Sequence, residues 1–451
     1  MKINNIDRIT SGSIPKAIFS LALPVVANMF MEFALSSTDY FWVGKLGATA
    51  QDAVTTSMIV TWTIWSLISV ITVGITAIVA RYLGAKDHDR AAYYIKQGLS
   101  MALGMGAAVS LAGFFLTPLI LAFMNTSSAT LELAVPYLRI FFVSASILFV
   151  GQTIYAVFRA SGDTRTPTKV GVSVVLLNMV LDPLLIFGVG PFPQLGVTGA
   201  SLATAVSILA GAIVISAKML SGRLGYRLGN LLAMTPRLRE MLKIARIGAP
   251  IASQELVFVI VYWFLIKIVH SFGEEAAAAM GIGNRMESFS YLTCFGFSIA
   301  ASTLVGQNLG AAKPDRAAKC AWGATGIGIG MTFVISILFI AFPSAIGSIF
   351  TNNTDVLQIA RDYLIILGLS QITMAVEIIL EGSFSGAGDT IPPMVVMIPG
   401  SVARIPLAYF LCFTLDWGIN GVWWTLTITT TVKAIILALW FKRGKWKEKQ
   451  V

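Results

Sequence analysis

"LGAKDHDRAA", Leu83 to Ala92, returns further along the chain as "LGAAKPDRAA", Leu309 to Ala318. The same interval carries "SGDTRTP" (161–167) onto "AGDTIPP" (387–393), Pro24 onto Pro250 and Tyr137 onto Tyr363. After a small loop adjustment, "LGVTGASLAT" (195–204) meets "WGINGVWWTL" (417–426). Matches held at one offset over this length mark a duplicated chain, and the unit that was duplicated decides the fold.

Composition identifies the solvent of that unit. Of 451 residues, 56% are hydrophobic and only 12% charged, with a mean hydropathy of +0.79. A soluble chain carries about a quarter charged residues, so the medium is a bilayer. A helical span needs about 20 mostly apolar residues. Twelve such runs lie near 18–43, 53–80, 94–117, 132–158, 167–189, 196–219, 242–270, 276–305, 317–342, 356–384, 391–414 and 419–441. Period-2 alternation is absent, which makes them helices and not barrel strands.

One repeat holds six spans, and an even number returns the chain to its starting side. The copies are then parallel, related by a pseudo-twofold axis along the membrane normal. The expected architecture is an all-α membrane protein of twelve transmembrane helices in two pseudo-twofold-related six-helix bundles. Its expected parts are an N-terminal lobe (1–219), a cytoplasmic linker (220–241), a C-terminal lobe (242–441) and a basic cytoplasmic tail (442–451). Two such bundles facing a central cleft suit alternating access, with sites near mid-membrane.

The net charge of +10 follows from topology. Most basic residues lie at the N-terminus, in the even-numbered loops or in the tail, as do Arg81, Lys86, Arg90, Arg159, Arg165, Arg237 and Arg239. By the positive-inside rule those parts, and both termini, are cytoplasmic. No nucleic-acid partner is implied. Cys294, Cys320 and Cys412 have no paired spacing, so neither a disulfide framework nor a metal site is expected. Walker A, H-E-x-x-H and G-x-S-x-G patterns are absent, and the chain does not read as an enzyme. "GIGIG" (326–330) sits within a span and reads as close helix packing.

Against this apolar background the acids stand out. "NMVLDPLLIFG" (178–188) puts Asn178 and Asp182 on one helix face, a turn apart. Pro183 withholds an amide and crowds the carbonyl of Met179. A mid-span aspartate costs about 2.5–3.5 kcal/mol on insertion scales, which marks it as functional by default. Asp39, in "ALSSTDYFWVGKLG", closes the first span downstream of the kinking Pro24, and its structural alternative is a pairing with Lys45. Glu32 lies on roughly the same face as Asp39. In the second half Glu255, Glu377 and Glu381 are candidate lining, the last two sharing a helix face. None of these acids has a counterpart at the repeat offset: Leu265 answers Asp39 and Tyr155 answers Glu381. Arg139, Arg285 and Arg404 also fall inside spans, with Arg285 expected to pair with Glu287.

An aspartate before "FWVGKLG", then "RASGDTRTP", then N-x-x-x-D-P followed by "GVTGASLAT" resembles the multidrug and toxic compound extrusion (MATE) family, most closely its DinF-like branch. The resemblance spans nearly the whole chain. It implies antiport of amphipathic, usually cationic, organic compounds against H⁺ or Na⁺, with no cofactor. It maps Asp39, Asn178 and Asp182 onto the cation- or proton-coupling residues, which are also the metal ligands if Na⁺ is the coupling ion. Thr204 is the candidate for the family's sixth-helix threonine; Pro24, by its own kink, is the candidate hinge of the first helix. Other branches use a seventh-helix glutamate and a tenth-helix aspartate. Glu255 is in the right helix, while Met374 stands in the aspartate's place. The expected partners are small organic cations or amphipathic drugs and the lipid bilayer of a bacterial or archaeal cytoplasmic membrane, and the expected state is a monomer. A flippase for lipid-linked oligosaccharides or other polyanionic lipids, which would want arginines and lysines facing its cargo, is the rival reading.

Overall fold

The structure is a computed structural model that describes residues 5–124, 126–222, 224 and 235–450. Part of the expected linker, residues 223 and 225–234, lies outside the described residues. Among the described residues there is no strand. A short helix α1 (Asn5–Ser11) precedes α2 (Ile14–Gly44), α3 (Ala48–Gly84), α4 (His88–Phe123), α5 (Ser128–Ala160), α6 (Arg165–Phe187) and α7 (Val197–Leu220). The second half contains α8 (Leu238–His270), α9 (Glu274–Gly310), α10 (Pro314–Ala341), α11 (Pro343–Ser348) and α12 (Thr354–Ala387). It ends with α13 (Ile391–Val402), α14 (Arg404–Tyr409) and α15 (Asn420–Lys442). A π-helical turn, Phe410–Thr414, continues α14, so the eleventh span runs from Ile391 to Thr414 in pieces. Among the described residues, twelve helices are long and apolar enough to cross a membrane. On α4, Leu111, Phe115, Leu119 and Phe123 recur every fourth residue and are each at least 66% exposed, a stripe suited to lipid.

The duplication is visible in backbone geometry. α3 and α9 begin and end at matching positions of the repeat, and each is preceded by a glycine in the same positive-φ conformation, Gly47 at 107° and Gly273 at 105°. Both then terminate in the same way. The amide of Lys86 donates to Leu83 and that of Asp87 to Tyr82; Ala312 donates to Leu309 and Lys313 to Asn308. This bond pair is the Schellman cap, which needs a left-handed residue. Lys86 (φ 60°) and Ala312 (φ 56°) take that role without being glycine, so the turn was retained although neither copy has the residue that adopts it most easily.

The chain forms two compact units, Met1–Val26 with Ala249–Val451, and Ala27–Gly248. Helices α2 and α8 are each divided between them, close to Pro24 and Pro250. In the unit of Ala27–Gly248, α5 packs against α3, α4 and α7. In the other unit the duplicate of α5, α12, packs against α9, α10 and α15, which are the duplicates of those same neighbours. Small residues let these helices approach. A Cβ on Gly382 or Gly386 of α12 would fall 2.5 or 2.1 Å from the carbonyl oxygens of Ser298 and Ser302 on α9. That is small-xxx-small against small-xxx-small. Within "GIGIG", Gly328 lies against Ile379, whereas Gly326 and Gly330 face open space.

The basic tail is docked on its own unit. Trp446 is buried, stacks on Phe441 at 4.4 Å and donates its indole N–H to the Phe441 carbonyl at 2.8 Å. Lys447 reaches Asp315 (2.9 Å) and Lys449 reaches Asp389 (3.3 Å), acids that belong to the two repeated loop motifs.

Candidate functional site

In the unit of Ala27–Gly248 the end of α6 is fixed by backbone constraints. Gly188 takes a left-handed φ of 70° and closes the helix on Leu184. The returning chain then bonds back, Leu195 to the Leu185 carbonyl and Gly196 to that of Ile186. Gly199 lies so close to α6 that a Cβ there would sit 2.4 Å from the Leu185 oxygen. α7 therefore starts against the backbone of α6, which brings Thr204 level with Asn178.

Asp39, Asn178, Asp182 and Thr204 meet there. Asn178 and Asp182 are buried at 1% and 0% exposure, and Asp39 and Thr204 are half-buried. The Asn178 amide satisfies both its ends with the nitrogen toward the acids. It donates to Asp39 Oδ1 at 3.2 Å and Asp182 Oδ2 at 3.3 Å, while its oxygen accepts from the Thr204 backbone N–H at 3.0 Å. The carboxyls of Asp39 and Asp182 thus converge on one amide nitrogen. Ionised carboxylates only accept, so the two could bond to one another only with a proton between them. Asp182 Oδ1 is buried with no hydrogen-bond partner. The Thr204 hydroxyl caps the Ala200 carbonyl of its own helix at 3.1 Å. Around the site an apolar cluster of Val43, Val54, Ile186, Val197 and Ala200, with Trp42 and Tyr137 against it, lowers the local dielectric.

Lys45 is not the counter-ion of Asp39: its ammonium lies over the rings of Phe41 (4.6 Å) and Trp42 (4.5 Å), a cation–π arrangement available because both rings are one turn back. Glu32, two turns before Asp39, has its own company. It accepts from Asn28 at 2.7 Å and lies in the field of Arg159 and Tyr155.

The other unit gathers a mixed cluster. Lys433 of α15 pairs with Glu377 of α12 at 2.7 Å. Glu381 lies within electrostatic reach of Glu377, Glu255 and Lys433. Arg404, buried at the start of α14, donates to the hydroxyls of Thr429 (3.0 Å) and Thr430 (3.2 Å). Glu287 faces Arg404 and Glu377, and among the described residues no ion pair joins it to Arg285. Residues two apart on a helix diverge by about 200°, which is why that expected pair does not form. Sequence reading passed over Lys433. A lysine inside "TITTTVKAIILALW" (427–440) carries the same signal as a mid-span aspartate. Among the described residues no three His, Cys, Asp or Glu side chains gather as for a metal ion.

A family model described as MatE matches residues 24–184 and 250–410, two stretches that start and stop at corresponding positions of the repeat. The chain belongs to the MatE family. The relatives of this MatE chain include a probable multidrug resistance protein NorM of Thermotoga maritima, 27% identical over 440 residues that cover 97% of this chain and 94% of the relative. An FAD transporter of Shewanella oneidensis is 25% identical over 439 residues, 94% of each chain. In fold it is similar to an outward-facing multidrug resistance MATE family transporter of the MOP superfamily, with a TM-score of 0.92 at 22% identity over the full length of both chains. This MatE protein is a multi-pass membrane transporter and not an enzyme.

Proposed function

We propose that this MatE protein is a secondary antiporter that exports amphipathic, cationic organic compounds by alternating access, with H⁺ as the coupling ion. The carrying observation is the Asp39–Asn178–Asp182 triangle, in which two carboxyls lie 3.2 and 3.3 Å from one amide nitrogen inside an apolar shell. Two like charges in such a place cannot both persist, so the pair exchanges a proton more readily than it tolerates full ionisation. Na⁺ wants several oxygen ligands. Here the Asn178 nitrogen points at the acids, and a donor in that position fits a shared proton better than a coordinated cation. Asp39, Asn178 and Asp182 would hold Na⁺ only with the amide reversed.

In this scheme proton entry neutralises Asp39 and Asp182, changes the preference of α2 for its polar surroundings, and bends α2 at Pro24 as cargo leaves. A membrane potential adds about 2.3 kcal/mol per charge per 100 mV to the cycle. The multidrug resistance for which relatives are named supports the cargo class, and the gathering of Asp39, Asn178 and Asp182 supports the DinF-like assignment. A polyanionic lipid cargo fits less well. In the unit that contains Arg404 and Lys433, those cations are outnumbered by Glu255, Glu287, Glu377 and Glu381. The basic loops and tail favour cytoplasmic termini, and the membrane is the cytoplasmic one.

The deciding experiment is efflux of a fluorescent organic cation from proteoliposomes, with pH and Na⁺ gradients imposed separately. Export under a pH gradient alone supports the reading; export under a Na⁺ gradient alone refutes H⁺ coupling, and export under neither refutes antiport.

A further inference from the structure

Lys433 is 4% exposed and lies in the middle of an apolar helix. Its ammonium has three donors, and the structure gives it a single hydrogen bond, to Glu377 Oε1. The other oxygen of Glu377, Oε2, is buried with no hydrogen-bond partner. Space for the lysine is built into α13. A Cβ on Gly400 would come within 2.6 Å of Lys433 Cγ and Cδ, so the stem lies where any other residue would project. Glu381, one turn beyond Glu377, and Glu255 add their field to the same spot, and Arg404 and Glu287 lie within electrostatic reach of it. The three acids Glu255, Glu377 and Glu381 are half-buried, while the lysine is buried.

A cation tethered to the fold thus occupies a carboxylate that could otherwise receive a mobile one. We propose that Lys433 is a specificity-determining residue: an internal competitor for Glu377 that sets how tightly this acid cluster binds the ammonium or phosphonium of an amphipathic monovalent organic cation. The inference rests on the cationic-cargo reading above and adds the residue that tunes it. Burial makes the competition strong, because a charge out of water must be matched by one partner or another. With Lys433 in place the cluster's attraction for cargo is partly satisfied from within, which permits release. Without it, Glu377 has to recruit its partner from outside.

The test is equilibrium binding of tetraphenylphosphonium to the purified full-length chain, by calorimetry, in wild type, K433M, E377Q and the double variant. K433M keeps the stem and removes the charge, and its dissociation constant is expected to fall about tenfold. E377Q leaves the ammonium unmatched and is expected to weaken binding by about the same factor. The double variant is expected to return near wild type, and K433R to bind as wild type does. A folded K433M that binds no more tightly than wild type overturns the proposal. If K433M does not fold, E377Q decides alone: unchanged or tighter binding overturns it. Repeating the series in D39N separates the two readings, because binding needs no coupling. A Lys433 effect that survives D39N stands even if proton coupling fails, and a wild type that neither binds nor exports any organic cation overturns both.

Discussion

Asn178 and Arg404 occupy the same position in the two copies of the repeat, and each reaches the helix that its own half has repeated. Asn178 accepts from Thr204 on α7; Arg404 donates to Thr429 and Thr430 on α15. The attachment was kept while the charge diverged. In one copy the position ties two acids together, and in the other it supplies a cation opposite Glu287. The electrostatics of the halves therefore cannot be exchanged, although their backbones share one register. R404K, which loses the planar fork that spans two hydroxyls, is expected to lower the melting temperature measurably without abolishing insertion; an unchanged melting temperature would show that the fork is dispensable.

In the proposed mechanism the acids carry the coupling. D39N and D182N are each expected to reduce organic-cation export by at least about tenfold, at unchanged abundance in the membrane. Export assays paired with immunoblots of the membrane fraction check this. Full activity in both variants would remove the shared proton from the mechanism.

Asn178 holds those acids through its amide, and Thr204 meets it through the backbone N–H. N178L leaves buried carboxyl oxygens unmatched, at a cost of about 1–3 kcal/mol, and export is expected to be lost. T204V keeps the N–H and is expected to stay within about twofold of wild type in export. A large loss in T204V would mean that the hydroxyl itself takes part in coupling, a role better suited to Na⁺.

Helix approach depends on particular glycines. G386A pushes a methyl to 2.1 Å from the Ser302 oxygen, and overpacking of that kind costs about 1–3 kcal/mol. G326A, which meets nothing within 4 Å, is the matched control and is expected to be neutral. Thermal unfolding in detergent distinguishes them, and equal melting temperatures would contradict the packing drawn here.

The tail is a packed element. W446A empties a buried site, and truncation of a buried tryptophan costs about 3–5 kcal/mol. K447A, whose partner Asp315 is solvent-exposed, is expected to leave stability unchanged. Should the two variants melt alike, Trp446 is not the anchor.

Twelve helices, their order, the duplication and its offset were all legible in the sequence, because hydropathy and repetition are local or periodic properties. Bilayer insertion demands long apolar runs regardless of what they later touch. Asp39, Asn178 and Asp182 were legible for the same reason: a polar group in such a run is costly wherever the helix ends up. What the sequence did not hold was partnership. Lys45 had two choices, the earlier Asp39 or rings within one turn, and took the rings. Arg285 and Glu287, two apart in the sequence, point apart. Lys433 and Glu377 are distant in sequence and on different helices, and only the packing of α12 on α15, with Gly400 left bare for the lysine stem, brings them together. Periodicity fixes which face a residue is on; which residue it meets across that face is settled by helix rotation and depth, and these emerge only when the whole unit packs.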